Sequence, residues 1–322
     1  TPPPAEPVLY GALPAGDTAY DNADLAELFV RLTHFTEWGA RRPHLVRLEP
    51  PVVVHLEGRR YRPFLERYMR YLRRHAQIDI RLGRPGATLL VRPVPGMEFT
   101  ALLPRAACVL VPGRPGWDAY RAAPARLGGR ALARAPRIGA MTVFLPDTAA
   151  PWRVRACLLE EIAQALGPLN DLDGLGPSIF NDDFAHLWPT RLDLMMLRLL
   201  QAPEIATGLG EVRTRRAARV VLDRINPAGR GGAQLGALTV PEGAGRWRRL
   251  VERAVSRREG PEARLRLLRR AKALAETRFP GGPRHCRSLV LLGRATAAPA
   301  PREALATLAA ARTVCARTHG AD

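Results

Sequence analysis

The chain has 322 residues, of which 47% are hydrophobic and 25% are charged, and its formal net charge at pH 7 is +19. This length allows two domains with a substantial core, and no apolar run reaches the ~18 residues that a membrane-spanning helix needs. The positive charge comes almost wholly from arginine, because Lys272 is the only lysine among the 49 basic residues. Such a charge favours anionic polymers, phosphorylated lipid head groups or acidic proteins as partners. No nucleic-acid-binding motif accompanies it, so we do not expect nucleic acid to be the main partner.

The first part of the chain alternates between helical and strand-like patterns. Residues 1–20 are rich in Pro, Ala and Gly and predict a surface tether, and their start without Met is what removal of a signal peptide would leave. Helical spacing of apolar residues then predicts helices over Asn22–Thr33 and about Tyr61–His75. Runs of apolar residues predict strands at Pro51–Leu56, Thr88–Val91, Ala107–Val111 and Met141–Leu145.

Two helices follow the last predicted strand. The first carries two adjacent glutamates and ends at Gly167, because Gly adopts left-handed backbone conformations and the following Pro168 cannot continue a helix. The second runs from Arg191 to about Gln201. Thr190 and Asp193, three residues apart, form a capping box at its start.

The chain becomes basic and helical past about Arg213. A glycine-rich loop at residues 226–245 precedes four amphipathic segments. Those segments lie near Arg246–Arg257, Pro261–Thr277, Arg284–Thr296 and Pro301–Thr318. The last two weakly resemble a tetratricopeptide helix pair. We therefore divide the chain into a tether (1–20), a first domain (21–212) and an all-α domain of helical hairpins (213–322).

Four cysteines lie in two groups, one in the front part of the chain and one near its end. Since no C-x-x-C pair occurs, a zinc ribbon or a thioredoxin-like site is not expected. The grouping predicts two disulfides, Cys108–Cys157 and Cys286–Cys315, and therefore a secreted, periplasmic or outer-envelope location. Four buried free thiols remain the alternative.

The segment Cys157–Asp183 resembles the active-site segment of metzincin zinc peptidases, H-E-x-x-H-x-x-G-x-x-H. In that comparison Glu160, Gln164 and Asn170 occupy the positions of the three zinc-binding histidines. Glu161 occupies the position of the general base. The resemblance implies an α+β fold in which a mixed sheet lies over the active-site helix, followed here by the all-α domain. It also implies that residues 178–180 correspond to the turn beneath the metal.

The three ligand positions have the helical spacing of the zinc motif, but their side chains are not the histidines that bind zinc. Residues four apart share a helical face, so Glu160 and Gln164 still lie together, but the donor atoms of this site are now oxygens. Oxygen ligands favour Ca²⁺, Mg²⁺ or Mn²⁺ over zinc. Candidate additional ligands are Asp171, Asp173, Asp182 and Asp183.

Three interpretations of this site stay open. In the first, no metal binds, and Glu160, Gln164 and Asn170 form hydrogen bonds that fix the former active-site turn. In the second, a hard cation such as Ca²⁺ binds there. In the third, a metal-dependent peptidase or cell-wall hydrolase persists with Glu161 as its general base. We expect no cofactor and no catalytic residue, with Ca²⁺ as the alternative and zinc disfavoured by the missing histidines.

The segment Cys157–Leu200 also resembles a family of uncharacterised secreted or lipid-anchored proteins, mainly alphaproteobacterial, that carry a domain of unknown function. The shared features include Cys-Leu-x-Glu-Glu, Gln-Ala-Leu-Gly and Ser-Ile-Phe-Asn-Asp-Asp. This resemblance implies the same degenerate metallopeptidase-like fold and an envelope or secreted location. It does not extend to the helical region from about residue 213.

Three functions are therefore compatible with the sequence. The first is a non-catalytic binding or structural protein that docks an anionic or protein partner; the others are a hydrolase and a subunit of a larger envelope assembly. The residues predicted to contact a partner are Arg213, Arg215, Arg216, Arg219, Arg246, Trp247, Arg248 and Arg249. A solvated basic face is the alternative interpretation of these side chains.

Overall fold

The computed structural model describes residues 20–37, 39–83, 87–104, 106–149, 151–172, 178–180, 188–231, 243–255 and 259–319. It combines a five-stranded mixed sheet with flanking helices and a C-terminal helical region, so the fold is α+β. None of the described helices is long and apolar enough to cross a membrane.

The sheet is parallel except at one edge. Its strands are β1 (Val52–Leu56), β2 (Ile80–Leu82), β3 (Leu89–Val94), β4 (Val109–Pro112) and β5 (Met141–Pro146). They are ordered β2-β1-β3-β5-β4, and only the edge strand β4 is antiparallel to its neighbour. Parallel pairing needs long crossovers, and helix α2 (Arg62–Ala76) provides the one between β1 and β2. The short β2 is absent from the sequence-based prediction.

Helices cover the sheet and close the main core. The long ones are α1 (Asn22–Thr33), α7 (Pro151–Ala165), α8 (Arg191–Leu200) and α9 (Glu211–Ile225). Four short helices, which the sequence did not predict, lie between β3 and β5: α3 (Gly96–Leu102), α4 (Trp117–Ala122), α5 (Pro124–Leu127) and α6 (Gly129–Arg134). A continuous cluster of buried side chains joins the inner faces of α1, α2, α7 and α8 to the sheet. Helix α7 begins shortly after β5 and contributes buried side chains to this core.

Helix α9 packs with the first part of the chain rather than with the C-terminal helices. Its residues Ala218 and Leu222 belong to the main core, and its C-terminal end is tied to α1. There Nδ2 of Asn226 donates to Oδ1 of Asn22 at 2.9 Å, and Nδ2 of Asn22 donates to Oδ1 of Asp223 at 2.8 Å. The boundary that we placed between residues 212 and 213 falls inside α9.

The C-terminal region is a set of four helices with its own core. They are α10 (Ala244–Val255), α11 (Pro261–Arg278), α12 (Pro283–Thr296) and α13 (Pro301–His319). Trp247 of α10 is completely buried in that core. Helices α12 and α13 approach closely at Gly293, where an added Cβ would lie 2.7 Å from Cγ of Leu308, and the Cys286–Cys315 disulfide joins them. The predicted helical hairpins are therefore present.

Candidate functional site

The metzincin-like segment lies on α7, beside one of the two disulfides. Both predicted cysteine pairs are bonded, and Cys108, just before β4, is joined to Cys157 on α7. Glu161 lies one helical turn beyond Cys157, so the two side chains share a face of the helix. Its Oε1 atom is 3.2 Å from Sγ of Cys108. The residue at the general-base position thus contacts a disulfide sulfur.

The surroundings of Glu161 favour its neutral form. The side chain keeps a little accessible surface but is enclosed by protein, and this burial raises its pKa well above the usual value. The negative charges of Glu37 and Asp171 raise the pKa further. A protonated carboxyl can donate its hydrogen to a sulfur lone pair, which is consistent with the short contact to Cys108.

The two amides at the former ligand positions take part in internal hydrogen bonds. Nε2 of Gln164 donates to Oδ1 of Asp171 at 2.8 Å, and Nδ2 of Asn170 donates to the carbonyl oxygen of Arg31 at 2.9 Å. Both amide side chains are buried. The bond from Asn170 fastens the turn after α7 to the end of α1. The third position, Glu160, is partly buried on α7 and has interactions of its own.

The structure describes one of the four candidate cation ligands, Asp171. Asp171 accepts the hydrogen bond from Gln164, whereas Asp173, Asp182 and Asp183 lie outside the described residues. Among the described His, Cys, Asp and Glu side chains, one group brings its ligand atoms within 4.8 Å of one another, and it consists of Cys108, Cys157 and Glu161. Since both sulfurs are joined in a disulfide, neither is a thiolate that could bind a metal.

The turn at residues 178–180 is fixed by a buried carboxylate on α8. Asp193 accepts hydrogen bonds from the backbone N–H groups of Ile179 at 3.0 Å and Thr190 at 2.6 Å, and from the hydroxyl of Ser178. Its bond to Thr190, with the reciprocal bond to the Thr190 hydroxyl, completes the predicted capping box. Asp193 therefore both starts α8 and holds the turn at residues 178–180 against that helix.

Gly167 fulfils the predicted role of a helix stop, for two physical reasons. Its φ angle of 152° is one that residues with side chains rarely adopt. An added Cβ would also lie 2.8 Å from Cδ2 of the fully buried Leu200. Glycine therefore fits this turn better than any other residue, and it allows the backbone after α7 to approach Leu200 of α8 closely.

The predicted docking side chains differ in how accessible they are. Arg213, Arg216, Arg219, Arg246 and Arg249 are exposed. Arg215 and Arg248 already form ion pairs within the chain, Arg215 with Glu27 and Glu211 and Arg248 with Glu252.

Trp247 was wrongly included in that set. The prediction grouped it with the arginines beside it in the sequence, Arg246, Arg248 and Arg249. In the structure it is completely buried, and its Nε1 donates to Oγ of Ser288 at 2.8 Å. It therefore supports the C-terminal core and has no surface with which to touch a partner.

A basic pocket that the sequence analysis did not identify lies at the N-terminus of α9. Residues 41–43 form one wall and residues 210–213 form the other, and its volume is about 470 Å³. The two walls are about 170 positions apart in the chain, so no local motif could show that they meet. The adjacent pair Arg41-Arg42 and the Gly210 before a helix were the available signals.

Comparison with known proteins identifies one family. A search of curated proteins and a search of solved structures each found no match. The family described as "Protein of unknown function (DUF2927)" matches residues 22–220, which include the whole sheet, α7, α8 and most of α9. The helices α10 to α13 lie beyond the matched residues. Because the match covers more than half of the sequence, the chain belongs to the DUF2927 family.

Proposed function

We propose that this protein is a non-catalytic binding or structural protein of the bacterial envelope or the secreted fraction, built on a degenerate metallopeptidase-like domain. It uses an arginine-rich surface to dock a protein partner with an acidic face. Two disulfides support an oxidising compartment, since cysteines in the reducing cytosol rarely remain paired.

Three features of the fold support the metallopeptidase-like part of this proposal. The sheet is mixed, the motif-bearing helix α7 follows its last strand in sequence, and that helix stops at Gly167. These are the features that the metzincin resemblance implies. The turn at residues 178–180 then packs against α8 through Asp193, as a supporting turn would.

One observation supports the proposal that the protein is non-catalytic. The amides of Gln164 and Asn170 donate to Asp171 and to the Arg31 carbonyl, so the positions that hold zinc in an active peptidase contribute internal hydrogen bonds. Glu161 contacts the sulfur of Cys108, and burial raises its pKa well above the usual value, which favours the protonated form. A protonated carboxyl cannot accept a proton from water, which is what a general base does.

The docking surface is the outer face of α9. Arg213, Arg216 and Arg219 are exposed there, and Val212 and Val220 next to them are 75% and 56% exposed. Arginine combined with accessible apolar side chains is typical of protein interfaces. No ion pair joins these three arginines to another residue in the described part of the chain. Their charges are therefore available to carboxylates of a partner.

Charge reversal on this face tests the proposal. We expect the double variant Arg216→Glu/Arg219→Glu to bind a fluorescent polyglutamate peptide at least tenfold more weakly than the parent protein at low salt. The control Arg302→Glu/Arg312→Glu changes the net charge equally on the exposed face of α13. An equal loss of affinity in both double variants would mean that only the net charge matters, and that no docking face exists.

A second experiment separates this function from the hydrolase alternative. Elemental mass spectrometry on protein purified without chelator measures bound metal. A stoichiometric zinc ion, together with a peptidase activity that Glu161→Gln abolishes, would overturn the non-catalytic proposal. Calcium without any activity would leave the docking function intact and add a structural ion.

A further inference from the structure

The disulfide between Cys108 and Cys157 has a carboxyl group beside it. Oε1 of Glu161 is 3.2 Å from Sγ of Cys108, and a carboxyl oxygen lies within 4.8 Å of both sulfurs. Among the described side chains, no His, Asp or Glu comes equally close to both sulfurs of Cys286–Cys315. In access the two disulfides are alike, since each joins a partly exposed cysteine to a buried one. The neighbouring carboxyl group is therefore a chemical difference between two otherwise similar bonds.

The surroundings of Glu161 favour a carboxyl group that carries its hydrogen. Burial raises the pKa of Glu161, and the negative charges of Glu37 and Asp171 raise it further. Tyr120 on α4 also lies near, because its pKa is raised first by burial and then by the charge of Glu161. These three neighbours are neutral or negative, so none of them stabilises the ionised carboxylate. Glu161 therefore places a transferable hydrogen next to the disulfide.

The two sulfurs differ in access, which decides the direction of a thiol–disulfide exchange. Cys108 is partly exposed, whereas Cys157 is 2% exposed and belongs to the main core. An incoming thiolate reaches the sulfur of Cys108 first, so the sulfur of Cys157 becomes the leaving group. A cysteine in apolar surroundings has a raised pKa, and a thiolate formed there needs a proton. Glu161 lies one helical turn further along α7, on the same face as Cys157, and carries that proton.

We propose that Cys108–Cys157 is an exchangeable disulfide that a dithiol-bearing redox protein reduces, with the Glu161 carboxyl group as the proton donor to the leaving sulfur. A thiolate of the reductant attacks Sγ of Cys108 and forms a mixed disulfide. The original S–S bond breaks, its electron pair goes to Sγ of Cys157, and that sulfur takes the hydrogen of Glu161. The second thiol of the reductant then attacks the mixed disulfide, which releases Cys108 as a thiol. Overall, two electrons and two hydrogens pass from the dithiol to the cysteines, and Glu161 recovers its proton from water.

Exchange at this bond changes how the edge of the sheet is attached. Cys108 lies just before the edge strand β4, and Cys157 lies on α7, so the disulfide ties that edge to a core helix. Reduction removes the covalent tie and leaves β4 held by its pairing with β5 and by packing. The exchange is independent of docking on α9, because no arginine of that face takes part in it.

The rates at which dithiothreitol reduces the two disulfides of the folded full chain test the proposal. Samples are quenched with iodoacetamide, and peptide mass spectrometry gives the alkylated fraction of each cysteine pair. Cys286–Cys315 is the internal reference, because pH changes the ionisation of the reductant equally for both bonds. Near neutral pH we expect Cys108–Cys157 to be reduced about tenfold faster or more, since general acids contribute at least this much. The ratio of the two rates should fall as rising pH ionises Glu161.

Two variants separate proton donation from access to the bond. Glu161→Gln keeps the shape of the side chain but has no acidic hydrogen, so the ratio of rates should fall about tenfold and lose its dependence on pH. The control Asp118→Asn removes a carboxylate of α4 that is 89% exposed, and it should keep the parent ratio.

The parent protein alone also decides. Equal reduction rates at its two disulfides, or a ratio that does not change with pH, would overturn the proposal. An unchanged ratio in Glu161→Gln would do the same. If that variant does not fold, both of its disulfides are reduced at the same rate, and the pH dependence of the parent ratio remains the test.

Discussion

The buried carboxyl of Asp193 predicts an unusual dependence of folding stability on pH. Burial raises the pKa of Asp193 from 3.8 to about 6, although hydrogen bonds from Ser178, Thr190 and Ile179 oppose the increase. Between about pH 4 and pH 6 the folded protein therefore binds a proton that the unfolded chain does not bind. It follows that the contribution of Asp193 to stability is fully present below pH 4 and is lost as the pH rises through 6.

The size of this effect follows from the two pKa values. A difference of about two corresponds to roughly 3 kcal/mol, at about 1.4 kcal/mol per pH unit. Solvent does not reduce it, because Asp193 is 0% exposed. Surface carboxylates act in the opposite direction. The pKa of Glu211, for example, is lowered by its hydrogen bond from Arg41, so its stabilisation is lost in acid. Only a comparison with a variant separates the contribution of Asp193 to stability from the contributions of the surface carboxylates.

Urea unfolding of the parent protein and of Asp193→Asn, followed by circular dichroism from pH 4 to pH 8, measures the effect. We expect the free energy of unfolding of the parent, relative to the variant, to decrease by roughly 3 kcal/mol between pH 4 and pH 7.5. Asp79→Asn, which removes an exposed carboxylate, should follow the parent at a constant separation. If Asp193→Asn also gave a constant separation, the hydrogen bonds would outweigh burial and the reasoning would be wrong.

Three further substitutions test the packing that positions the site. Gly167→Ala forces a Cβ against Leu200 in a backbone conformation that alanine resists, and should cost about 2–4 kcal/mol in urea unfolding. Replacing both Cys286 and Cys315 by Ser opens a loop of 29 residues and should lower stability by about 3–4 kcal/mol, measured by urea unfolding without reductant so that Cys108–Cys157 stays bonded. Trp247→Phe removes a buried hydrogen bond to a serine of α12 and should lower the melting temperature, whereas a surface tryptophan would not.

Elements with a strong local signal could be predicted from the sequence. Helix α1 has the predicted bounds, and the capping box of Thr190 and Asp193 starts α8 where the pattern placed it. The short helices α3 to α6 and strand β2 were missed, because three to seven residues carry too little periodicity to distinguish them from loops. Their positions are set by packing against the edge of the sheet.

The contacts that individual side chains make could not be predicted in the same way. The motif placed Glu161 and Gln164 on the correct helix, but their contacts with Cys108 and Asp171 depend on how β4 and the following turn pack. Trp247 shows the same limit. Its neighbours in sequence are arginines, yet Val251 and Ala254, four and seven residues later, form the apolar face to which it belongs.

The net charge of +19 illustrates why composition identifies a class of partner but not a site. Most of the ion-paired arginines lie at the surface, where water screens them and pairing stabilises little. Arg42 differs from its neighbour Arg41 only in where the backbone directs its side chain, and that difference moves one charge from solvent into the protein. A buried charge retains its need for a counter-ion whatever the salt concentration. Salt should therefore weaken docking on the α9 face, whose exposed arginines it screens, and leave the charge of Arg42 in place.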